Sequence, residues 1–485
     1  MFLIERNFQM FYGRNYYINL LEELLKKPMS SVVTCRGRRR VGKSTLFEEF
    51  ARRNGCRFLK LEGRAPGEGV GDREQREAFG IQLAEQSPLP RLTPEDWPQA
   101  FKLLDSILFE RPEWTVLLLD EISWMGGSSA TFASDLKIAW DNHLKKHDRL
   151  ILIICGSVSS WVTENFVEST GFVGRRSYDF ILPELPLSEA VGFWNEVRGQ
   201  RTSREMLDVL SVTGGVPRYL EEMDLTLSAD ENIRRSFYRP EGYLYQDFSA
   251  IFDRVLGQKK ERCRRILESI SEGATTVSEI ATALGVERSG YLSSDLKNLD
   301  VAGFIAGDRG INPETGAQAL QIRYRIKDCY THFYLKQVFP ERERIEKGLY
   351  ESVTLSNMEG WDARMGRQFE TLVLNNFKAL LPFLGLSGVS VLSAAPYLKR
   401  GRKGEGCQID LLVQTEAIAY VVEIKRKRFI SEGIAAEVAQ KVSRLPLRKG
   451  ISVRTALVYE GELDGSLVRR QVFDFLIPAR KLLGL

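Results

Sequence analysis

The chain has 485 residues, 43% hydrophobic and 27% charged, with a net charge of +4. That length exceeds one hydrophobic core and predicts about three or four domains, and the composition excludes a largely disordered chain. The near-balanced charge points to no partner by itself, but basic runs at Arg36 to Arg40, Lys399 to Lys403 and Lys425 to Arg428 concentrate it locally. No apolar stretch approaches the length that crosses a bilayer. The start, MFLIERNFQMFYG, carries an early glutamate and no signal-peptide layout, so a cytoplasmic chain without a membrane partner is expected. The cysteines at 35, 56, 155, 263, 329 and 407 form no CxxC pair and fit reduced thiols rather than disulfides or zinc. His143 and His147 stand i, i+4 in the polar stretch DNHLKKHD, which reads as a solvated helix end.

In chain order, the first informative stretch is SSVVTCRGRRRVGKSTLFEEFARR. An apolar strand over Val32 to Cys35 feeds a glycine loop, and an amphipathic helix starts at about Lys43. The loop Gly37, Arg38, Arg39, Arg40, Val41, Gly42, Lys43, Ser44 fills every required position of the P-loop pattern. Its glycines let successive N–H groups point inward at phosphate oxygens, and the helix N-terminus adds partial positive charge. Lys43 is expected on the β- and γ-phosphates of ATP and Ser44 on Mg²⁺, with Thr45 the next residue of the nucleotide-binding set. WTVLLLDEIS predicts a second strand, buried on both faces over Val116 to Leu119. At its carboxyl end Asp120 would join the Mg²⁺ shell and Glu121 would polarise the attacking water. A third strand, RLILIICGSVSSW, ends at Gly156 and Ser157; Ser157 either senses the γ-phosphate or caps the next helix.

This order of P-loop, hydrophobic run with Asp-Glu, and a strand ending in a polar residue resembles the AAA+/STAND branch of P-loop ATPases. FYGRNYYINLLEELL is similar to that branch's N-terminal box, which implies Gly13 and Arg14 at the adenine; Asn15 departs from the more common acidic residue. TGGVPRYL resembles a motif of the archaeal-type ATPase family, implying that Gly214, Gly215 and Pro217 bring a lid loop onto the nucleotide; Gly-Gly and Pro also simply punctuate two helices. The GRR…L.PL…E layout resembles the same family, and Arg175 or Arg176 would then stabilise transition-state charge in cis or across a subunit boundary. A structural ion pair is the other reading of those arginines.

From residue 181 to about 250 the pattern is helical and fits a lid. KERCRRILESISEG, TVSEIATALG with Thr276 or Ser278 near its cap, and SGYLSSDLKNLDVAGFI predict three helices. A turn-rich tip and a strand follow in RGINPETGAQALQIRYRI, so the set looks like a winged helix-turn-helix. Ser289, Tyr291, Ser294 and Lys297 of the third helix would face nucleic acid, although Asp295 and Asp300 weaken its attraction for phosphate. An intramolecular clamp is the alternative.

MGRQFETLVLNNFKALL then predicts a helix carrying Glu370, and QIDLLVQTEAIAYVVEIKRKR a pair of strands. Residues i and i+2 of a strand share a face, so Glu423 and Lys425 point together while Ile424 packs opposite. With the strands adjacent, Asp410 lies beside Glu423, and the two carboxylates call for a cation such as Mg²⁺ between them. Lys425 would orient a scissile phosphate or the attacking water. The order Glu370, Asp410, Glu423, Lys425 resembles the PD-(D/E)XK nuclease-like fold, which travels with archaeal-type ATPases; Gln408 departs where an acidic residue is common. Gln440 and Lys441 either contact a phosphate backbone or form an exposed helical face.

The expected fold class is α/β: a P-loop ATPase core over 1–180 with a parallel sheet, a helical lid over 181–256, a winged helix over 257–345 and a nuclease-like domain over 346–485. The function this implies is an ATPase acting on nucleic acid, DNA above all, with a Mg²⁺-dependent nuclease domain gated by the ATPase cycle. The alternative is a STAND-like switch whose C-terminal domain binds DNA or a protein without cutting. ATP and Mg²⁺ are the implied cofactors, and homo-oligomerisation is left open.

Overall fold

In the first of two compact units, Met1–Leu185, the apolar runs become a five-stranded parallel sheet. The computed structural model describes residues 11–27, 29–108, 113–157, 160–169, 171–248, 260–273, 275–401 and 406–485. The extreme N-terminal stretch, the expected boundary at 256 and 257, and Lys403 lie outside the described residues. The first unit's elements include helix α1 (Asn15–Leu25), strand β1 (Ser31–Arg36), α2 (Lys43–Arg53), β2 (Arg57–Glu62), α3 (Trp97–Leu108), β3 (Thr115–Asp120), α4 (Phe132–Asn142), β4 (Leu150–Gly156) and β5 (Arg176–Ile181). Strand order is β2-β3-β4-β1-β5. Every residue of β3 and β4 is buried, as central parallel strands require, while β5 alternates along the sheet edge.

Alternation along β3 and β4 builds a core on each face. Leu117, Leu119, Leu152 and Ile154 pack with Trp97, Phe101 and Phe132; Val116, Leu118, Ile151 and Ile153 pack with Leu46, Phe47 and Phe50. One expectation needs correction here. His147 is not solvated: its Nε2 lies 2.7 Å from Oδ1 of Asp105 on α3, with a side chain 14% exposed. The polar stretch folds back onto α3, and the carboxylate draws both imidazoles, His143 at 3.8 Å. The described cysteines are free thiols, Cys56 half-buried and the others buried. No described helix is long and apolar enough to cross a membrane.

The second unit, Pro186–Leu485, holds the remaining elements. After short helical elements over Leu187–Ala190 and Val191–Gln200 come helices α5 (Ser203–Thr213) and α6 (Ala229–Phe237). Thr202 and Glu205 cap α5 reciprocally, and Gly214 ends it with φ 63° before Pro217 opens a short helix. Three helices follow, α7 (Lys260–Ser271), α8 (Val277–Leu284) and α9 (Gly290–Val301), then an antiparallel ladder of β6 (Ile305–Asp308) and β7 (Arg323–Ile326). Thr276, not Ser278, caps α8. Asp295 does not weaken the outward face of α9, because it is 0% exposed and paired with Arg262. Tyr291, 76% exposed, shares the outer side with Ser294 and Lys297.

Helix α10 (Trp361–Asn375) precedes a second five-stranded sheet of β8 (Ser393–Lys399), β9 (Cys407–Gln414), β10 (Ile418–Ile430), β11 (Ser452–Leu463) and β12 (Phe475–Pro478). Helix α11 (Gly433–Arg444) lies between β10 and β11 in sequence. β9 pairs antiparallel with β8 and β10, whereas β10, β11 and β12 run parallel. The tip between β6 and β7 rests on the edge strand of this sheet: the Ile311 N–H donates to Ser393 Oγ at 3.2 Å, and Arg323 donates to the Leu398 carbonyl at 3.3 Å. Aromatic contacts join the helical segments, with Phe237 to Phe333 at 4.9 Å and Phe333 to Trp361 at 6.2 Å between centroids.

Next to Phe333, His332 lies 3.3 Å from Thr371 of α10 through Nδ1. Burial first, then the charges of Lys336, Arg367 and Arg325, push its imidazole down to about 4. The unfolded chain takes up this proton below about pH 6.5 and the folded chain does not. Stability is therefore full above pH 6.5 and falls, by up to about 3 kcal/mol, as pH drops towards 4. His332→Gln is expected to flatten that part of a denaturation-versus-pH curve; an unchanged slope contradicts the assignment.

Candidate functional site

The nucleotide site forms where β1, β3 and β4 end together. Arg36 pairs with Gly156 in register, and Asp120 closes β3 beside them. Gly37 has no room for a side chain, since a Cβ would meet the Leu182 carbonyl oxygen at 2.7 Å. Arg40 and Gly42 take left-handed φ of 71° and 82°, curling the loop into the start of α2. Lys43 Nζ donates to the carbonyls of Gly37 (3.0 Å) and Arg38 (3.1 Å), so the ammonium is folded into the loop. Ser44 Oγ donates to Asp120 Oδ2 at 2.5 Å, and Lys60 sits 3.4 Å from the same carboxylate. Thr45 lies in the first turn of α2.

Arg14 is buried and supports the loop from beneath. Its guanidinium donates to the carbonyls of Val41 (2.9 Å) and Pro183 (2.7 Å), and Gly13 and Arg14 both adopt left-handed backbone to aim it there. Two loop arginines are held by protein: Arg38 pairs with Glu184 at 3.2 Å, and Arg39 lies 5.2 Å from the centroid of the Trp124 ring.

Glu121 departs from strand geometry with φ 45°, turning its side chain into the site. It is buried, and its Oε2 has no hydrogen-bond partner. Burial raises its carboxyl above the usual range, while Lys43, Arg39 and an N–H from Ser157 pull it back. The structure thus brings Ser44, Asp120, Glu121, Lys43 and Ser157 together.

It does not bring Arg175 or Arg176 to their own loop. Arg176 opens β5 level with Val32, at the end of the sheet away from Gly37, and donates to the Val167 carbonyl at 2.8 Å. Arg175 forms a two-point pair with Asp141 at 2.9 and 3.1 Å. Gly215 and Pro217 belong to the second unit, between α5 and the Pro217–Glu221 helix.

In the second unit, β9 and β10 set Asp410 beside Glu423. The Ile424 N–H donates to Asp410 Oδ2 at 2.9 Å. Glu423 is 0% exposed and lies between two ammonium groups, Lys425 at 2.7 Å from Oε1 and Lys441 at 2.5 Å from Oε2. Lys441 also lies 4.0 Å from Asp410 Oδ1. Burial, then the charge of Asp410, raises Glu370 on α10 to about 7. Four residues predicted as one site therefore share one electrostatic environment. Lys441 was expected on a backbone-contacting or exposed face; it reaches inward instead, while Gln440 stays exposed. Its reach depends on how α11 docks on β9 and β10, which no local spacing encodes.

Both sites supply oxygen donors for a hard divalent cation. At the P-loop, Ser44 and Asp120 converge to hydrogen-bonding distance. At the second site, Asp410 Oδ1 and Glu423 Oε2 face a common cation, which here is the Lys441 ammonium. Among the described residues no group of three metal-ligating side chains is preassembled. These carboxylate oxygens are donors of the kind such an ion takes, with the Lys441 ammonium between them.

Residues 11–223 match the family model of an ATPase domain found predominantly in Archaea. The chain is 24% identical over 431 residues to an uncharacterized protein of Methanocaldococcus jannaschii, covering 86% of this chain and 88% of that one. It is similar to the solved Walker-type ATPase of Pyrococcus abyssi, with TM-score 0.49 and 17% identity over 67% of this chain and 96% of that one. Likeness to the ORC2 protein of Aeropyrum pernix has TM-score 0.43 and 16% identity, over 72% of this chain and 98% of that one. Family match and loop geometry agree: the chain carries a P-loop ATPase domain similar to those found predominantly in Archaea.

Proposed function

We propose that this chain is an AAA+/STAND-type ATPase that hydrolyses ATP and acts on nucleic acid through a nuclease-like C-terminal domain. The observation that carries the ATPase half is the contact of Ser44 with Asp120 beside the buried Glu121. Loop N–H groups and the α2 N-terminus hold the phosphates, and Lys43 exchanges its carbonyl partners for phosphate oxygens. Ser44 and Asp120 would hold Mg²⁺, which neutralises charge on the phosphates. Glu121 orients a water molecule and takes its proton as the γ-phosphoryl group is attacked.

For the C-terminal half, the support is the convergence of Glu370, Asp410, Glu423 and Lys425. Asp410 and Glu423 would hold a divalent cation, which supplies an acidified water and charge compensation for phosphodiester cleavage. Lys425 positions the phosphate. In this reading residues 181–256 form a lid and 257–345 a winged helix, the latter working as a clamp through its tip on β8. Arg175 and Arg176, held by Asp141 and the Val167 carbonyl, serve as structural contacts unless a neighbouring copy draws them to its nucleotide; sizing with and without ATP tests for that copy. The alternative, a switch that binds without cutting, is favoured by one observation, the Lys441 ammonium between the carboxylates.

Wild type, Lys43→Ala and Asp410→Ala distinguish these readings when incubated with Mg²⁺ and single-stranded, duplex or branched DNA, or RNA, with and without ATP. Lys43→Ala is expected to weaken ATP binding about 10- to 100-fold, the worth of a lost charge-assisted contact. Equal binding contradicts the nucleotide site. Cleavage that survives Asp410→Ala, or no cleavage of any substrate, removes the nuclease half. Cleavage indifferent to ATP and to Lys43→Ala removes the coupling.

A further inference from the structure

We propose that Lys441 is a built-in cation of the C-terminal carboxylate site, holding Asp410 and Glu423 together until a divalent ion displaces its ammonium. The inference rests on the metal-site reading above and adds a residue to it.

Three observations carry it. The first is position. Lys441 Nζ is 2.5 Å from Glu423 Oε2 and 4.0 Å from Asp410 Oδ1, so it touches the two side chains whose facing oxygens would ligate a metal. Lys425, in contrast, contacts the other oxygen of Glu423 from its own strand, and need not move.

The second is charge. Asp410 Oδ1 and Glu423 Oε2 bring two acidic side chains around the single Lys441 ammonium, the place a divalent cation would take. Lys425 holds Oε1 of the buried Glu423, so it is Oε2 that takes either the Lys441 ammonium or a metal ion as its partner.

The third is mechanical. The backbone of α11 near Lys441 is tied to the start of β9. Cys407 Sγ donates to the Lys441 carbonyl at 3.4 Å, and Arg444 donates to the Gly406 carbonyl at 3.2 Å. The helix therefore stays in place while a flexible four-carbon side chain, 22% exposed, has a route to solvent.

Nucleotide-free full-length protein is titrated with Mn²⁺ by calorimetry, and its thermal unfolding is followed in EDTA and in Mn²⁺. Wild type is compared with Lys441→Met, Lys441→Gln and Asp410→Asn. The two lysine variants are expected to bind Mn²⁺ about 10-fold or more tightly than wild type, since a like charge leaves the site. They are also expected to melt lower than wild type in EDTA and to regain that loss in Mn²⁺. Asp410→Asn assigns the binding to this site by abolishing it. Binding that requires Asp410 but is no tighter in either lysine variant overturns the role of Lys441 and leaves the metal site standing. No Asp410-dependent binding in any variant overturns the metal site, and this proposal with it.

Discussion

Glu121→Gln is expected to lower the rate of ATP hydrolysis by about 10²- to 10⁴-fold, the usual worth of a positioned general base. Nucleotide binding should remain close to wild type. Glutamine keeps the length and planar end of the side chain, so it fills the same space beside Ser157 and Lys43. It removes the acceptor for the water's proton. The geometry isolates this function: Glu121 lies just past the end of β3 with φ 45°, and its Oε2 is buried without a protein partner. An orphaned carboxylate oxygen in such a place is costly. A base that must receive a proton gains from that cost, because burial raises its proton affinity. The neutral amide avoids the part of that cost that comes from burying charge, so Glu121→Gln is also expected to melt close to wild type. Single-turnover hydrolysis, with binding measured separately, reads the two effects apart. Hydrolysis within about tenfold of wild type would assign Glu121 to structure rather than to proton transfer.

Much of this site is legible in the sequence because parallel strands buried on both faces leave an unmistakable pattern. The apolar runs ending at Arg36, Asp120 and Gly156 are β1, β3 and β4, and as neighbouring parallel strands they bring three carboxyl ends to one end of the sheet. Strand alternation likewise carries Glu423 and Lys425 to one side of β10. What escapes the sequence is whatever depends on one element docking against a distant one. Lys441 reads as a surface lysine because its helix shows no sign of which strands it covers. Asp295 reads as a surface acid because its partner, Arg262, sits one helix away across the bundle. His147 reads as solvated because Asp105 lies 42 residues earlier. Arg14 looks like part of an adenine pocket, yet its hydrogen bonds go to the Val41 and Pro183 carbonyls, and only the folded loop reveals that. The division into two compact units has the same origin: the aromatic contacts around Phe333 and the tip resting on β8 join segments that composition separates.

The second large effect is expected at an ion pair that joins those segments. Arg426 follows Lys425 on β10 and points to the opposite side of the strand, where its side chain is only 3% exposed. It forms two parallel bonds of 2.8 Å to Asp208 on α5, and a third of 3.2 Å to Asp362 on α10. Burial raises the Asp208 carboxyl above its ordinary range and the guanidinium opposes that rise. Asp208→Ala leaves a buried guanidinium with the more exposed Asp362 and the nearby carboxyl of Glu460. The expected destabilisation is about 3 kcal/mol, the low end for a broken buried pair, because Asp362 keeps part of the compensation. The double variant Asp208→Leu, Arg426→Met replaces both charges with apolar groups of similar reach, and is expected to lie within about 1 kcal/mol of wild type. Denaturant unfolding with a probe in residues 186–485 measures both, since a chain with two compact units need not unfold in one step. A single variant as stable as wild type, or a double variant no better than the single, would contradict a buried pair. The contrast between the two variants carries the meaning, because only charge left without its partner separates them. The same pair fixes α5, which ends at Gly214, against the strand that carries Glu423 and Lys425. Any shift of α5 during a nucleotide cycle must therefore either carry β10 with it or separate Asp208 from Arg426.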